Sequence, residues 1–220
     1  ESCGITPPPE YFARPVTSKK SSDLLGEEAP PDVVLVGTSY SYRGEESWRY
    51  NFDGFIKEAL QIDVLNYGIS AGGPFTSLQD YLLSDTYKTQ PPKLLIWEIA
   101  GAHSRLFNDP LAFRQVIPAV FDDCSSDNAL ANYDISLSGE QTVSIRPDVV
   151  LPNNFVLSLT SVEKLTTFDL HLEYASGDKE EVKLDRSKRM ENGEVFVMSF
   201  ENEAELQSLT ISFPEPKTRA

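Results

Sequence analysis

The 220-residue chain is 40% hydrophobic, 10% aromatic and 24% charged, an ordinary globular composition with room for one large domain or two small ones. Its formal net charge of -15 argues against nucleic acid as a partner. No apolar run reaches the ~20 residues that span a bilayer, and Cys3 and Cys124 show no metal-type spacing, so the sequence predicts no membrane span, no metal and no cofactor.

Residues 3–31 are rich in proline, serine and charge, and Pro7, Pro8, Pro9, Pro30 and Pro31 make them a surface lead-in without regular structure. Val33-Val34-Leu35-Val36 is an apolar, mostly β-branched run bounded by Asp32 and Gly37. It predicts a short strand buried on both faces, as in a parallel sheet. Residues 42–49 follow as a polar loop. Phe52, Phe55, Ile56, Ala59 and Leu60 then recur at helical spacing and predict an amphipathic helix over about 50–60. Residues 63–66 are a second strand. It ends in Gly68-Ile69-Ser70-Ala71-Gly72-Gly73, a turn in which backbone N–H groups can approach a ligand closely. Leu78, Tyr81 and Leu82 mark a second helix, stopped by Pro91 and Pro92. Residues 93–99 are a third strand, followed by Gly101 and His103. Phe113, Val116, Ile117 and Val120 predict a third helix, bent at Pro118. Strand and helix alternate across 32–121, the pattern of a doubly wound α/β layer with helices on both faces of a parallel sheet.

From residue 127 helical spacing gives way to alternation, at Val143 and Ile145, Phe155 to Leu159, Phe168 to Tyr174, Val182 and Leu184, Val195 and Val197, and Leu209 to Phe213. Short strands with turns at 176–178 and 192–193 predict a β-sandwich. The boundary falls within 122–132 and divides residues 1–126 from 127–220.

Sites in open α/β sheets lie beyond the carboxyl ends of the strands. Three such ends carry Thr38-Ser39, the 68–73 turn and residues 98–103. Ser39 stands where a nucleophile would be held, or caps the next helix. Backbone N–H groups of Ser39 and Gly72 are candidates for an oxyanion hole. Residues 37–41 are not the Gly-x-Ser-x-Gly elbow, because Ser41 takes the fifth place. His103 either donates to oxyanion or substrate or caps its own turn. Arg43 and Tyr50, in the loop after Ser39, either border the site or are plain surface residues. Arg186, Lys188 and Arg189 form a dense basic cluster that suits uronate carboxylates, or a solvated turn. Asp169 and His171 fall on the polar face of a sandwich strand.

Three blocks in order, Val36-Gly37-Thr38-Ser39-Tyr40-Ser41, Asn66-Tyr67-Gly68-Ile69-Ser70-Ala71-Gly72-Gly73 and Leu95-Ile96-Trp97-Glu98-Ile99, resemble the SGNH-hydrolase-like polysaccharide O-acetyltransferases, the alginate acetyltransferases above all. The resemblance implies a partial SGNH-like (flavodoxin-like) core followed by a carbohydrate-binding sandwich. It implies Ser39 as nucleophile and Gly72 as oxyanion glycine. It further implies acetyl transfer from a donor, another protein of the export machinery, to hydroxyls of an exported acidic, alginate-like polysaccharide in the periplasm or outside the cell. The family takes its catalytic Asp and His from an Asp-x-His motif ahead of the serine block, and none precedes Ser39 here. A carbohydrate esterase, with water as acceptor, and a non-catalytic polysaccharide-binding protein stand as alternatives. The absent motif, the three-strand layer and the start without Met lead to the expectation of a missing N-terminal segment. On that expectation Cys3 pairs into the segment and Cys124 pairs beyond residue 220.

Overall fold

Four consecutive apolar residues, three of them β-branched, form β1 (Val33–Val36), which is buried at every position. The computed structural model describes residues 31–42, 52–101, 103, 110–121, 129–135, 142–151, 155–161, 165–186, 193–198 and 204–213. In it β1 is the central strand of a three-stranded parallel sheet, with β2 (Val64–Asn66) on one side and β3 (Leu94–Trp97) on the other. Alternate residues of β1 serve opposite layers. Val33 and Leu35 pack with Val64 and with Ile56 of α1 (Phe52–Leu60). Val34 and Val36 pack with residues of α2 (Gly73–Leu82) and α4 (Pro110–Val120). Helices therefore lie on both faces, which is why an unbroken apolar run is stable there.

Two elements depart from their sequence expectation. In α1, Ile56 is turned to the sheet, but Phe52, Phe55 and Leu60 are exposed. The three-residue β2 beside it offers too little surface to cover them. The second helix stops well before Pro91. Ser84, extended at φ -75 and ψ 152, ends it and opens α3 (Asp85–Thr89), its Oγ accepting from Tyr87 N. The helix expected around Pro118 is α4, fourth in chain order, and it runs through that proline. Among the described residues no helix is long and apolar enough to cross a membrane.

The alternating runs become six antiparallel strands: β4 (Thr142–Ile145), β5 (Val156–Thr160), β6 (Thr167–Tyr174), β7 (Lys179–Asp185), β8 (Glu194–Met198) and β9 (Leu206–Ser212). They pair as a four-stranded sheet, β4-β9-β6-β7, and a two-stranded sheet, β5-β8. Phe168, Leu170, Leu172, Val182, Leu184, Leu209 and Ile211 bury one face of the larger sheet against Val195 and Val197 of the smaller. The expected boundary at 122–132 lies mostly outside the described residues.

β8 joins the two parts. Val195 and Val197 enter the sandwich core, while Phe196 between them enters the core formed by β1, α2 and α4. Arg114 of α4 reaches the same strand. Its Nε donates to Met198 O at 2.7 Å, and its Nη1 lies 2.5 Å from Glu180 Oε1 on β7. Tyr174 Oη donates to the other oxygen of Glu180 at 3.0 Å. Lys88, at the end of α3, pairs with Glu194 at 2.6 Å.

Because Phe196 is a whole ring buried in the core of the other part, Phe196→Ala should destabilise the chain by about 3–5 kcal/mol. Denaturant unfolding measures this, and a loss below about 1 kcal/mol would mean that the α/β core does not depend on β8. A second expectation concerns alkali. Burial, with Tyr67 and Tyr87 nearby, pushes the Tyr81 phenol up to about 12. Burial and the hydrogen bond to Glu180 do the same for Tyr174. The unfolded chain ionises these phenols near 10. The folded value is the higher one, so their contribution is whole below pH 10 and is lost as pH rises from 10 through 12. Tyr81 Oη has no hydrogen-bond partner among the described residues, so Tyr81→Phe should keep stability at neutral pH and flatten the alkaline loss. Unfolding curves taken across that pH range, with phenolate absorbance read alongside, check both.

Candidate active site

The chain leaves β1 through a tight turn whose donors are almost all committed. Ser41 N and Tyr42 N both donate to Thr38 O at 3.0 Å. Tyr40 N donates to Thr38 Oγ1 at 3.3 Å, and Thr38 N donates to Glu98 Oε2 at 2.7 Å. Ser39 N is the remaining N–H of residues 38–42, and no group among the described residues accepts it. The turn buries the hydroxyls of Thr38 and Ser41 beneath it and presents Ser39 and Tyr40 to solvent, Tyr40 at 61% exposure. Among the described residues Ser39 caps no helix, the next described one beginning at Phe52.

Glu98 fixes this turn from the neighbouring strand. Trp97 stands in register with Val36, and Glu98 N continues the ladder to Val36 O at 2.8 Å. This puts the Glu98 side chain at the turn. Its Oε2 accepts from Thr38 N, from Thr38 Oγ1 at 2.9 Å and from Ser41 Oγ at 3.2 Å. Gly37 leaves the necessary space. A Cβ there would stand 2.7 Å from Glu98 Oε2 and 2.9 Å from Ser41 Oγ.

On the other side the 68–73 turn docks against the same segment. Ile69 N donates to Gly37 O at 3.0 Å, and Asn66 Nδ2 donates to Ser41 O at 2.8 Å while its Oδ1 accepts from Gly68 N. Ala71 at φ 60 and Gly73 at φ 76 then turn the chain into α2. Gly72 is the N-cap of that helix; its carbonyl accepts from Thr76 Oγ1, and its N–H has no partner among the described residues. The two glycine-bearing loops predicted from sequence thus lie side by side at the carboxyl end of the sheet.

His103 occupies a turn after β3 and donates its backbone N–H to Ala100 O at 2.8 Å. Its Nδ1 is buried without a partner among the described residues, and no hydrogen bond joins it to Ser39. Asp169 and His171 lie on the outer face of β6, His171 opposite Glu181 and Thr210, which is the polar strand face expected of them. Arg186 corrects the picture of an exposed basic turn. It is only 5% exposed, its N donates to Thr166 O and its Nη1 to Leu165 O at 3.0 Å. Burial drives its pKa down to about 10 against the opposing pull of Asp80. A guanidinium spent inside the fold is not offered to a polymer. Arg43, Tyr50, Lys188, Arg189, Cys3 and Cys124 lie outside the described residues. Among the described residues no group of three His, Cys, Asp or Glu could hold a metal ion.

The role of Glu98 was not drawn from the sequence. The available signal was an acid closing the apolar run Leu94-Leu95-Ile96-Trp97, where a charge is costly unless it meets donors.

Residues 3–101 match the family described as SGNH hydrolase-like domain, acetyltransferase AlgX. The alginate biosynthesis protein AlgX of Pseudomonas aeruginosa is 30% identical over 229 residues, which cover 98% of this chain and 46% of that protein. The probable alginate O-acetylase AlgJ of Pseudomonas fluorescens is 40% identical over 108 residues, 48% of this chain and 26% of its own length. A solved structure of Pseudomonas aeruginosa AlgX aligns with a TM-score of 0.64 at 25% identity, over 85% of this chain and 46% of that one. The chain spans about half the length of the AlgX relatives it matches.

The contact between the two loops leaves no slack at Gly68. A Cβ there would stand 2.9 Å from both Ser41 C and Tyr42 N, and backbone cannot rotate out of the way. Gly68→Ala is expected to cost about 1–3 kcal/mol and to displace the Ser39 turn. The melting temperature should fall, and an unchanged value would show that the loops are not in contact.

Proposed function

We propose, from the match of residues 3–101 to the SGNH hydrolase-like domain of acetyltransferase AlgX, that the chain carries the serine-bearing part of an O-acetyltransferase acting on an exported acidic, alginate-like polysaccharide. One observation carries the reading: Ser39 is exposed on a turn in which, among the described residues, its own N–H is the single backbone donor of 38–42 without an acceptor. In the proposed reaction Ser39 Oγ attacks the carbonyl carbon of an acetyl donor as a base removes its proton. The leaving group takes a proton as it departs, and acetyl-Ser39 remains. A sugar hydroxyl then attacks the same carbon, its proton goes to the base, and Ser39 Oγ leaves and is reprotonated. In both halves negative charge gathers on the acetyl oxygen. The N–H groups of Ser39 and Gly72, which have no acceptor among the described residues, are the proposed donors to it, each of a kind worth about 2.7–4 kcal/mol.

The acceptor class comes from the relatives, whose names concern alginate biosynthesis and alginate O-acetylation. Lys188 and Arg189 are the proposed contacts for uronate carboxylates on the sandwich side, with Arg43, Tyr50 and His103 bordering the Ser39 turn. The proposed donor is another protein of the export machinery, and the proposed place is the periplasm. No Asp-x-His precedes Ser39, His171 faces outward from the sandwich and His103 makes no hydrogen bond to Ser39 among the described residues, so the reading names no residue as the base.

The test is Ser39→Ala in the full-length protein, assayed with an acetyl donor and an oligouronate. Acetyl transfer should fall by at least about 10³-fold with stability within about 0.5 kcal/mol, because the side chain is exposed. Retained transfer overturns the nucleophile. Acetyl release into water without transfer to sugar would make the enzyme an esterase.

A further inference from the structure

We propose that Glu98 is the positioning residue of the Ser39 nucleophile, acting through the reach of one carboxylate oxygen rather than through its charge. The inference rests on the serine-acyl-transfer reading above.

The bonds inside the turn close it on itself: Ser41 N and Tyr42 N on Thr38 O, and Tyr40 N on Thr38 Oγ1. They set its shape but not its direction. Direction comes from outside, and three of the external ties end on Glu98 Oε2. Their donors sit at residues 38 and 41, on either side of Ser39 and Tyr40, so one oxygen fixes both flanks of the nucleophile.

That oxygen also orders the donors. Thr38 Oγ1 gives its proton to Glu98, which leaves a lone pair for Tyr40 N. Thr38 N is held at the same oxygen. With the N–H groups of residues 38 and 40 both committed, the N–H between them is the one left for a ligand. Without Glu98 the Thr38 hydroxyl and N–H both lose their acceptor, and the peptides around Ser39 have no reason to keep one orientation. A misplacement of this kind, about 1 Å at the reacting group, is enough to cost about 10²-fold in rate.

Reach is the discriminating property. The backbone of β3 is held by the ladder, with Trp97 in register with Val36 and Glu98 N on Val36 O at 2.8 Å, so it does not move in to follow a shorter side chain. An aspartate keeps the charge but ends one methylene short of the three donors. A glutamine loses the charge but can place its amide oxygen where Oε2 stands.

The experiment compares Glu98→Gln, Glu98→Asp and Glu98→Ala with Ser39→Ala in the full-length protein, by kcat and KM for acetyl transfer and by the rate of Ser39 labelling with a fluorophosphonate. The expected order is Gln within about tenfold of the parent, and Asp and Ala both down about 100-fold in kcat and in labelling. KM for the donor should stay within about threefold, since Glu98 does not touch substrate. If Asp matches or exceeds Gln, charge rather than reach is what counts and the inference is overturned. If Ala labels and turns over like the parent while Ser39→Ala is dead, Glu98 does not position the nucleophile, although the acyl-transfer reading survives. If Ser39→Ala is itself active, that reading has failed. Should the Asp and Ala variants not fold, Thr38→Val replaces them. It removes one donor to Oε2 and the acceptor of Tyr40 N. A kcat lowered about tenfold with KM unchanged supports the inference, and an unchanged kcat overturns it.

Discussion

The hydrogen bonds that converge on Glu98 Oε2 hold together two segments 60 residues apart in sequence. A carboxylate at the end of an apolar strand is unfavourable unless donors meet it. Here they come from the first turn after the neighbouring strand, so the cost of placing the acid and the cost of ordering the turn are met by one set of bonds. The arrangement restricts the turn in return. Residue 37 has no room for a side chain, residue 38 needs both a hydroxyl and an N–H aimed inward, and residue 41 needs a small buried donor. Gly37, Thr38 and Ser41 answer those demands. Ser39, which meets none of them, is left to solvent.

Much of this fold was legible because its elements obey simple periods. Val33–Val36 is apolar without interruption because both faces of β1 are covered, and Phe168 to Tyr174 alternates because β6 has one dry face and one wet one. What escaped the sequence depends on partners remote in the chain. Arg186 stands two residues from Lys188 and three from Arg189 and shares their charge, yet the end of β7 turns it inward to the carbonyl of Leu165. Nothing local to residues 186–189 announces that carbonyl. Ser84 is an ordinary capping residue and could have broken the second helix on paper. The apolar spacing of Leu78, Tyr81 and Leu82 carries no mark of that break.

The position of the two candidate loops was legible to the same degree. Gly37-Thr38-Ser39 and the 68–73 turn stand at strand ends, where a doubly wound sheet puts its ligands, and the structure brings those loops into contact. Their mutual orientation is another matter. It depends on β3 lying beside β1 in the register Val36 to Trp97, and on the two left-handed residues, Ala71 and Gly73, that swing the chain into α2. Spacing alone carries neither fact.

The double burial of β8 bears on how freely the two parts can move against each other. Units strung on a flexible linker meet a shared ligand at an effective concentration set by linker length, and that length can be tuned freely. Here a single strand contributes side chains to both interiors, with Arg114 braced across it. The separation between the Ser39 turn and the sandwich surface is then a property of the packed core, like a bond length in a rigid frame. A ligand that engaged both would meet a fixed span there and not an adjustable one.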